Sequence, residues 1–316
     1  MEQDKGESKR EAFSRLGWVL IVSQLVVLGV VWGAEQVYRM YLGVRQPELD
    51  YVSLLRLLRS NGWTLALGAM AGVVPCYLLH LTPKAGQLAG YLTRVRKKTT
   101  PTMVLVCLFL VMGLQNIATL VTLPLEATAN AWGWSFVDAY ASVAGNAGTI
   151  SMMVYTVLVA PICEELVYRG FVMRYLEQYG KVFAMIVASL LFGLMHGNII
   201  QLPSALLCGI LFGYVALEYS LPASILVHAL NNLMAESMTW LQAADEVTAA
   251  AVNQAIISFG LVAFLLYVTQ WWQPIRGYMR ANRTEKGTIW AFVSSLPILL
   301  LMAYLVVLTA LSIKPI

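Results

Sequence analysis

About nine apolar stretches, each roughly 16 to 26 residues long, punctuate this 316-residue chain between residues 16 and 313, and about 20 helical residues cross a hydrocarbon core about 30 Å thick. Repeated lengths of that kind leave one reading open, a polytopic membrane protein. Composition agrees: 59% of residues are hydrophobic, 12% are charged, and the mean hydropathy is +0.69. The expected fold is all-α, a polytopic transmembrane helix bundle of about eight to nine spans.

Residues 1–15 are polar, mixed in charge and expected as a cytoplasmic tail, and the apolar run 16–34 lacks a small-residue cleavage site, so it reads as an uncleaved anchor. Residues 16–146 are expected as N-terminal membrane helices and connectors, including an amphipathic interfacial stretch over 51–59 and a span over 61–81 bent around Pro75. A connector over 124–148 carries Trp132, Trp134, Phe136 and Tyr140 but no Lys or Arg, which suits an outer interface. Residues 147–241 hold the chemically loaded spans, and 242–316 two further membrane helices.

Most of the 21 Lys and Arg fall in the tail and after the second, fourth and eighth spans. The positive-inside rule therefore places the N-terminus inside and the C-terminus outside, with Arg39, Arg45, Arg56 and Arg59 counting against it. Short outer tails point to a bacterial cytoplasmic membrane. The net charge of +4 sits in loops that flank spans and fits anionic lipid headgroups; no nucleic-acid motif is present. Cys76, Cys107, Cys163 and Cys208 all lie in apolar stretches without C-x-x-C spacing, as small buried hydrophobes do.

Against this background the stretch Pro161-Ile-Cys-Glu-Glu-Leu-Val-Tyr-Arg-Gly170 stands apart. Each ionisable group in a membrane helix costs about 2.5 to 3.5 kcal/mol on insertion scales, so such groups line interior sites. Glu165 and Arg169 are four residues apart in the favourable order for an ion pair, whereas Glu164 is turned about 100° away. A purely structural network explains these three charges equally well. Downstream spans supply His196, four residues after Phe192, and His228, four residues before Asn232. Taken singly, each histidine is more often an interhelical hydrogen-bond partner. His80, without an acidic neighbour, is assigned no chemistry.

The ordered set Glu-Glu-x-x-x-Arg, Phe-x-x-x-His and His-x-x-x-Asn resembles the CAAX protease and bacteriocin-processing (CPBP or Abi) membrane proteins, whose eukaryotic branch includes type II CAAX prenyl endopeptidases. The resemblance covers about residues 150–240 and implies peptide-bond hydrolysis within the membrane. Residue chemistry allows the same reaction: Glu164 as general base, His196 orienting the water, His228 and Asn232 donating to the oxyanion, and Glu165 with Arg169 holding Glu164. Glu164, His196 and His228 also make a two-His, one-Glu set that would suit a catalytic zinc, although no H-E-x-x-H is present and the metal-free route is favoured.

Expected partners are membrane lipids and a small membrane-associated or lipidated peptide. A non-catalytic membrane scaffold or immunity factor is the competing class; a proton-coupled transporter would show repeats that this chain lacks. Simple helix geometry carries one difficulty. Straight spans starting at one face would place His228 about 10 Å deep and His196 about 22 Å deep, so the two would miss each other unless a helix tilts or bends.

Overall fold

The computed structural model describes residues 8–79, 92–136 and 148–316. His80, Asp138, Tyr140 and residues 1–7 of the polar tail lie outside these residues. Helix α1 (Lys9–Arg45) begins seven residues before the first apolar run, because Ser8 and Glu11 cap it reciprocally: Glu11 N–H donates to Ser8 Oγ and Ser8 N–H donates to Glu11 Oε2. The extra turns carry Phe13, which is fully buried against Tyr179, Phe183 and Phe292.

The amphipathic α2 (Tyr51–Arg59) starts on Asp50, whose carboxylate accepts from the Val52 and Ser53 amides. Then come α3 (Gly62–Leu78), α4 (Pro101–Ala131), a two-residue strand β1 (Trp134–Ser135) and α5, a continuous helical run over Ile150–Tyr179. They are followed by α6 (Lys181–Met195), α7 (Gln201–Glu218), α8 (Leu221–Ala244), α9 (Glu246–Ala281), α10 (Thr288–Val293), α11 (Leu296–Leu311) and β2 (Lys314–Pro315). The fold is all-α apart from the antiparallel β1/β2 pair, in which Trp134 faces Pro315 and Ser135 faces Lys314.

Among the described residues, five helices are both long and apolar enough to cross a membrane: α1, α4, α5, α7 and α9. Three shorter apolar helices, α3, α6 and α11, bring no more than 17 residues each. The expected eight to nine spans therefore exceed what length and composition support. Two boundaries move for local reasons. Helix α4 continues through Pro124 to Ala131, into the expected connector. The last apolar run is split at Ser294-Ser295, where Pro297 opens α11 near its N-terminus, the place in a helix where a missing N–H costs least.

Helix α5 is the element that positions the site. It is π-wound over Tyr155–Val159 and Leu166–Met173, with a short α-helical stretch, Ala160–Glu165, between them. Pro161 explains how the first π segment is held. In that segment Ala160 N–H bonds the carbonyl of Tyr155, five residues back, so the next bond in register would run from residue 161 to Thr156 O. Pro161 has no N–H, and the orphaned Thr156 carbonyl is taken by Asn232 Nδ2 of α8 at 2.9 Å. In the second π segment Tyr77 Oη donates to Leu166 O at 2.7 Å. Gly170 makes room for that tyrosine, since a Cβ there would lie 2.5 Å from Tyr77 Oη.

Candidate active site

The two adjacent glutamates of α5 occupy different surroundings. Glu165 is fully buried, whereas the Glu164 side chain retains 15% exposure. Glu165 is enclosed by partners from its own helix and α8: Arg169 NH1 lies 2.8 Å from Oε1, His228 Nδ1 lies 3.0 Å from Oε1, and Ser224 Oγ donates to Oε2 at 2.6 Å. Ser224 Oγ also sits 2.9 Å from Phe212 O. A carboxylate only accepts, so the ring proton of His228 resides on Nδ1 and the other nitrogen, Nε2, is turned toward Glu164 Oε2, 3.7 Å away.

Arg169 is also fully buried. Its NH2 donates to Gly209 O at 3.1 Å, and its guanidinium lies 4.4 Å from the Phe192 ring centroid. Arg169 Nε has no hydrogen-bond partner, so the ring face and the Glu165 charge stand in for one. The approach to α7 depends on Gly209, where a Cβ would lie 3.0 Å from Arg169 NH2. The G-x-x-x-G of α7 thus serves packing inside the bundle: Gly213 in turn faces Met173 and Met185.

Residues 146–234 match the family model described as type II CAAX prenyl endopeptidase Rce1-like. This helical segment is similar to the CAAX protease family. No curated protein and no solved structure shows significant similarity to the chain.

All six residues singled out in the sequence lie inside the matched segment, and the structure places them as follows. Glu164, Glu165, Arg169 and His228 form one contiguous polar cluster. The hydrogen bonds of Glu165 run to His228 and Ser224, and Arg169 reaches α7. Asn232, one turn beyond His228, donates to Thr156 O and accepts from Asn231 Nδ2 at 3.0 Å. His196 caps α6 and joins the cluster through Phe192, whose ring edges onto His196 at 5.0 Å and onto His228 at 5.7 Å. Phe192 is one turn before His196, so it stands at the level of His228 and bridges the depth offset that straight helices would leave. His196 Nδ1 lies 2.8 Å from Phe192 O, an acceptor, so its proton is on Nδ1 and Nε2 carries the free lone pair.

Two polar residues of the core escaped sequence reading. Ser224 and Glu236 extend the His228/Asn232 face of α8 at four-residue steps in both directions. Ser224 is fully buried on Glu165, and the buried Glu236 accepts from Trp240 Nε1 at 3.0 Å. The four-residue spacing was their only signal. Among the described residues no three His, Cys, Asp or Glu side chains converge as a metal-ligand group. An open apolar groove of about 720 Å³ lies between the start of α4 and Leu226 of α8. Leu226 is two residues from His228 and therefore about 200° around the helix, on another face.

Proposed function

We propose that this CAAX-protease core hydrolyses a peptide bond of a small membrane-associated or lipidated peptide, with Glu164 as the general base. The observation that carries this reading is the division of labour between the two acids: Glu165 is sealed on Arg169, Ser224 and His228, while Glu164 keeps access and faces His228 Nε2. A base must reach a water that can also reach substrate, and Glu164 alone of the pair has that freedom.

In this mechanism the water gives one proton to a Glu164 oxygen while its second hydrogen, kept on the attacking oxygen, is hydrogen-bonded to His196 Nε2, leaving the oxygen lone pair aimed at the scissile carbonyl. In the form that donates from Nε2, His228 binds the developing oxyanion, while its Nδ1–H stays on Glu165 and fixes the ring. Asn232 has two N–H groups, one spent on Thr156 O, and gives the other to the oxyanion. Glu164 then returns its proton to the leaving amine as the C–N bond breaks. The route needs no metal. Glu164, His196 and His228 would be the residues to hold zinc in the alternative, and unchanged turnover after chelation of purified protein separates the two.

The chain sits with Lys9, Arg96 and Lys181 at the inner face and Lys314 at the outer, an orientation supported by the basic residues gathered at one end of the bundle. The test is mass spectrometry of membrane-peptide termini from cells making wild type or Glu164→Gln at matched folded levels. Products confined to wild type are expected. Identical peptide profiles, with a phenotype sustained by both proteins, would transfer the assignment to a scaffold or immunity factor.

A further inference from the structure

The carbonyl of Thr156 sets the direction of a string of three carboxamides. Because Pro161 leaves that carbonyl without its helical donor, Asn232 must present Nδ2 to it, 2.9 Å away. Its Oδ1 therefore faces Asn231, which must donate, and Nδ2 of Asn231 does so at 3.0 Å. The Oδ1 of Asn231 is thereby turned to Gln115 of α4, whose Nε2 donates at 2.9 Å. Each amide's polarity follows from the one after it, and every bond runs the same way along the string, an arrangement in which neighbouring bonds strengthen one another. All three side chains are partly buried between apolar helices, and Gln115 lies outside the segment that matches the protease family.

We propose that Gln115 and Asn231 are positioning residues that hold the carboxamide of Asn232 with its N–H groups toward α5, the helix that carries Glu164. The inference rests on the proposed role of Asn232 as an oxyanion donor. A free carboxamide flips by rotation about its last torsion and would then offer an oxygen, which repels an oxyanion. Gln115 removes that option through two successive hydrogen bonds, without touching substrate.

The experiment uses the purified full-length chain in detergent and a quenched-fluorescence peptide bearing a farnesyl thioether. Gln115→Met keeps length and volume but removes the donor. It is expected to lower kcat about tenfold, less than the roughly hundredfold or more of losing an oxyanion donor outright because Asn232 itself remains, with KM unchanged. In an Asn232→Ala background the same substitution should have no further effect on kcat. Gln115→Glu, an acceptor that reverses the string, should lower kcat more than Gln115→Met does.

A second readout is independent of turnover: the shift in Tm caused by Gln115→Met should shrink by at least half when Asn232 is already alanine, although the two side chains do not touch. Additive Tm shifts, or a kcat that Gln115→Met leaves unchanged in active protein, overturn the relay. If wild type leaves the peptide intact, the protease reading fails for that substrate, and the Tm cycle still decides the relay.

Discussion

Glu164 and Glu165 are chemically identical neighbours with opposite energetic roles. Glu165 is one half of a fully buried ion pair, and removing one partner of such a pair leaves an uncompensated charge in a medium that cannot solvate it. Glu165→Gln preserves shape but keeps a single acceptor oxygen for Ser224 and His228, which bond different oxygens of Glu165, and it strands Arg169; it should destabilise the protein by about 3 to 5 kcal/mol. Glu164→Gln, at a side chain with 15% exposure and no ion-pair partner of its own on α5, should change stability by less than about 1 kcal/mol while abolishing cleavage. Thermal unfolding of the two variants in detergent checks the contrast, and equal losses would refute it. At this scale the sequence was informative about which residues converge, because charged and imidazole side chains are conspicuous in apolar helices. It was silent on who contacts whom. The 100° between consecutive helical residues separates the two acids, but which of them meets α8 depends on the rotation of α5, and that is set by packing. Ser224 was illegible for the same reason, and Phe192 was visible only as part of the Phe-x-x-x-His spacing, not as the ring that joins the two histidines: a serine and a phenylalanine are ordinary in such helices until a neighbour is known.

The winding of α5 belongs to the element scale and was the feature least visible in advance. Hydropathy reports which residues are apolar, not whether each amide bonds four or five residues back, so the π segments on either side of Ala160–Glu165 left no trace beyond Pro161. Proline inside a helix costs about 3 kcal/mol in ordinary settings. Here the missing donor frees Thr156 O for Asn232 and so couples α5 to α8. Pro161→Ala restores an intrahelical donor that competes with Asn232 for this carbonyl. The variant should melt at the same temperature as wild type or higher, yet turn over about tenfold more slowly, a part of the roughly hundredfold or more that complete loss of an oxyanion donor costs. Thermal unfolding beside steady-state kinetics makes the comparison; parallel loss of stability and activity would show instead that the proline is needed for folding alone.

Across the whole molecule, charge is sorted between two ends that the 31 residues of α4 hold about 46 Å apart. At one end Arg96 and Arg174 both bind Glu177 at 2.9 Å, Lys181 and Tyr278 converge on Glu218, and Lys9 pairs with Glu285, so that the loop after α3 and the ends of α1, α5, α6, α7 and α9 are joined. At the other end the aromatic connector pairs with the C-terminal strand, Ile316 N–H donating to Gly133 O at 3.0 Å. Loop charge made this sorting legible in the sequence. The number of spans was less legible, since a window of apolar residues cannot tell a helix that crosses lipid from a shorter one cradled by its neighbours, as α6 is by α7 and α5. The two ends make orientation directly testable. Lys286 and Ile316 are exposed, one beside each end, and the four native cysteines are buried. A membrane-impermeant maleimide applied to intact cells should label Ile316→Cys and spare Lys286→Cys, with both labelled after lysis. The reverse pattern would put the basic end outside and make Arg39, Arg45, Arg56 and Arg59, gathered on α1 and α2, the inward-facing charges; the site would then have to take its substrate from the opposite leaflet.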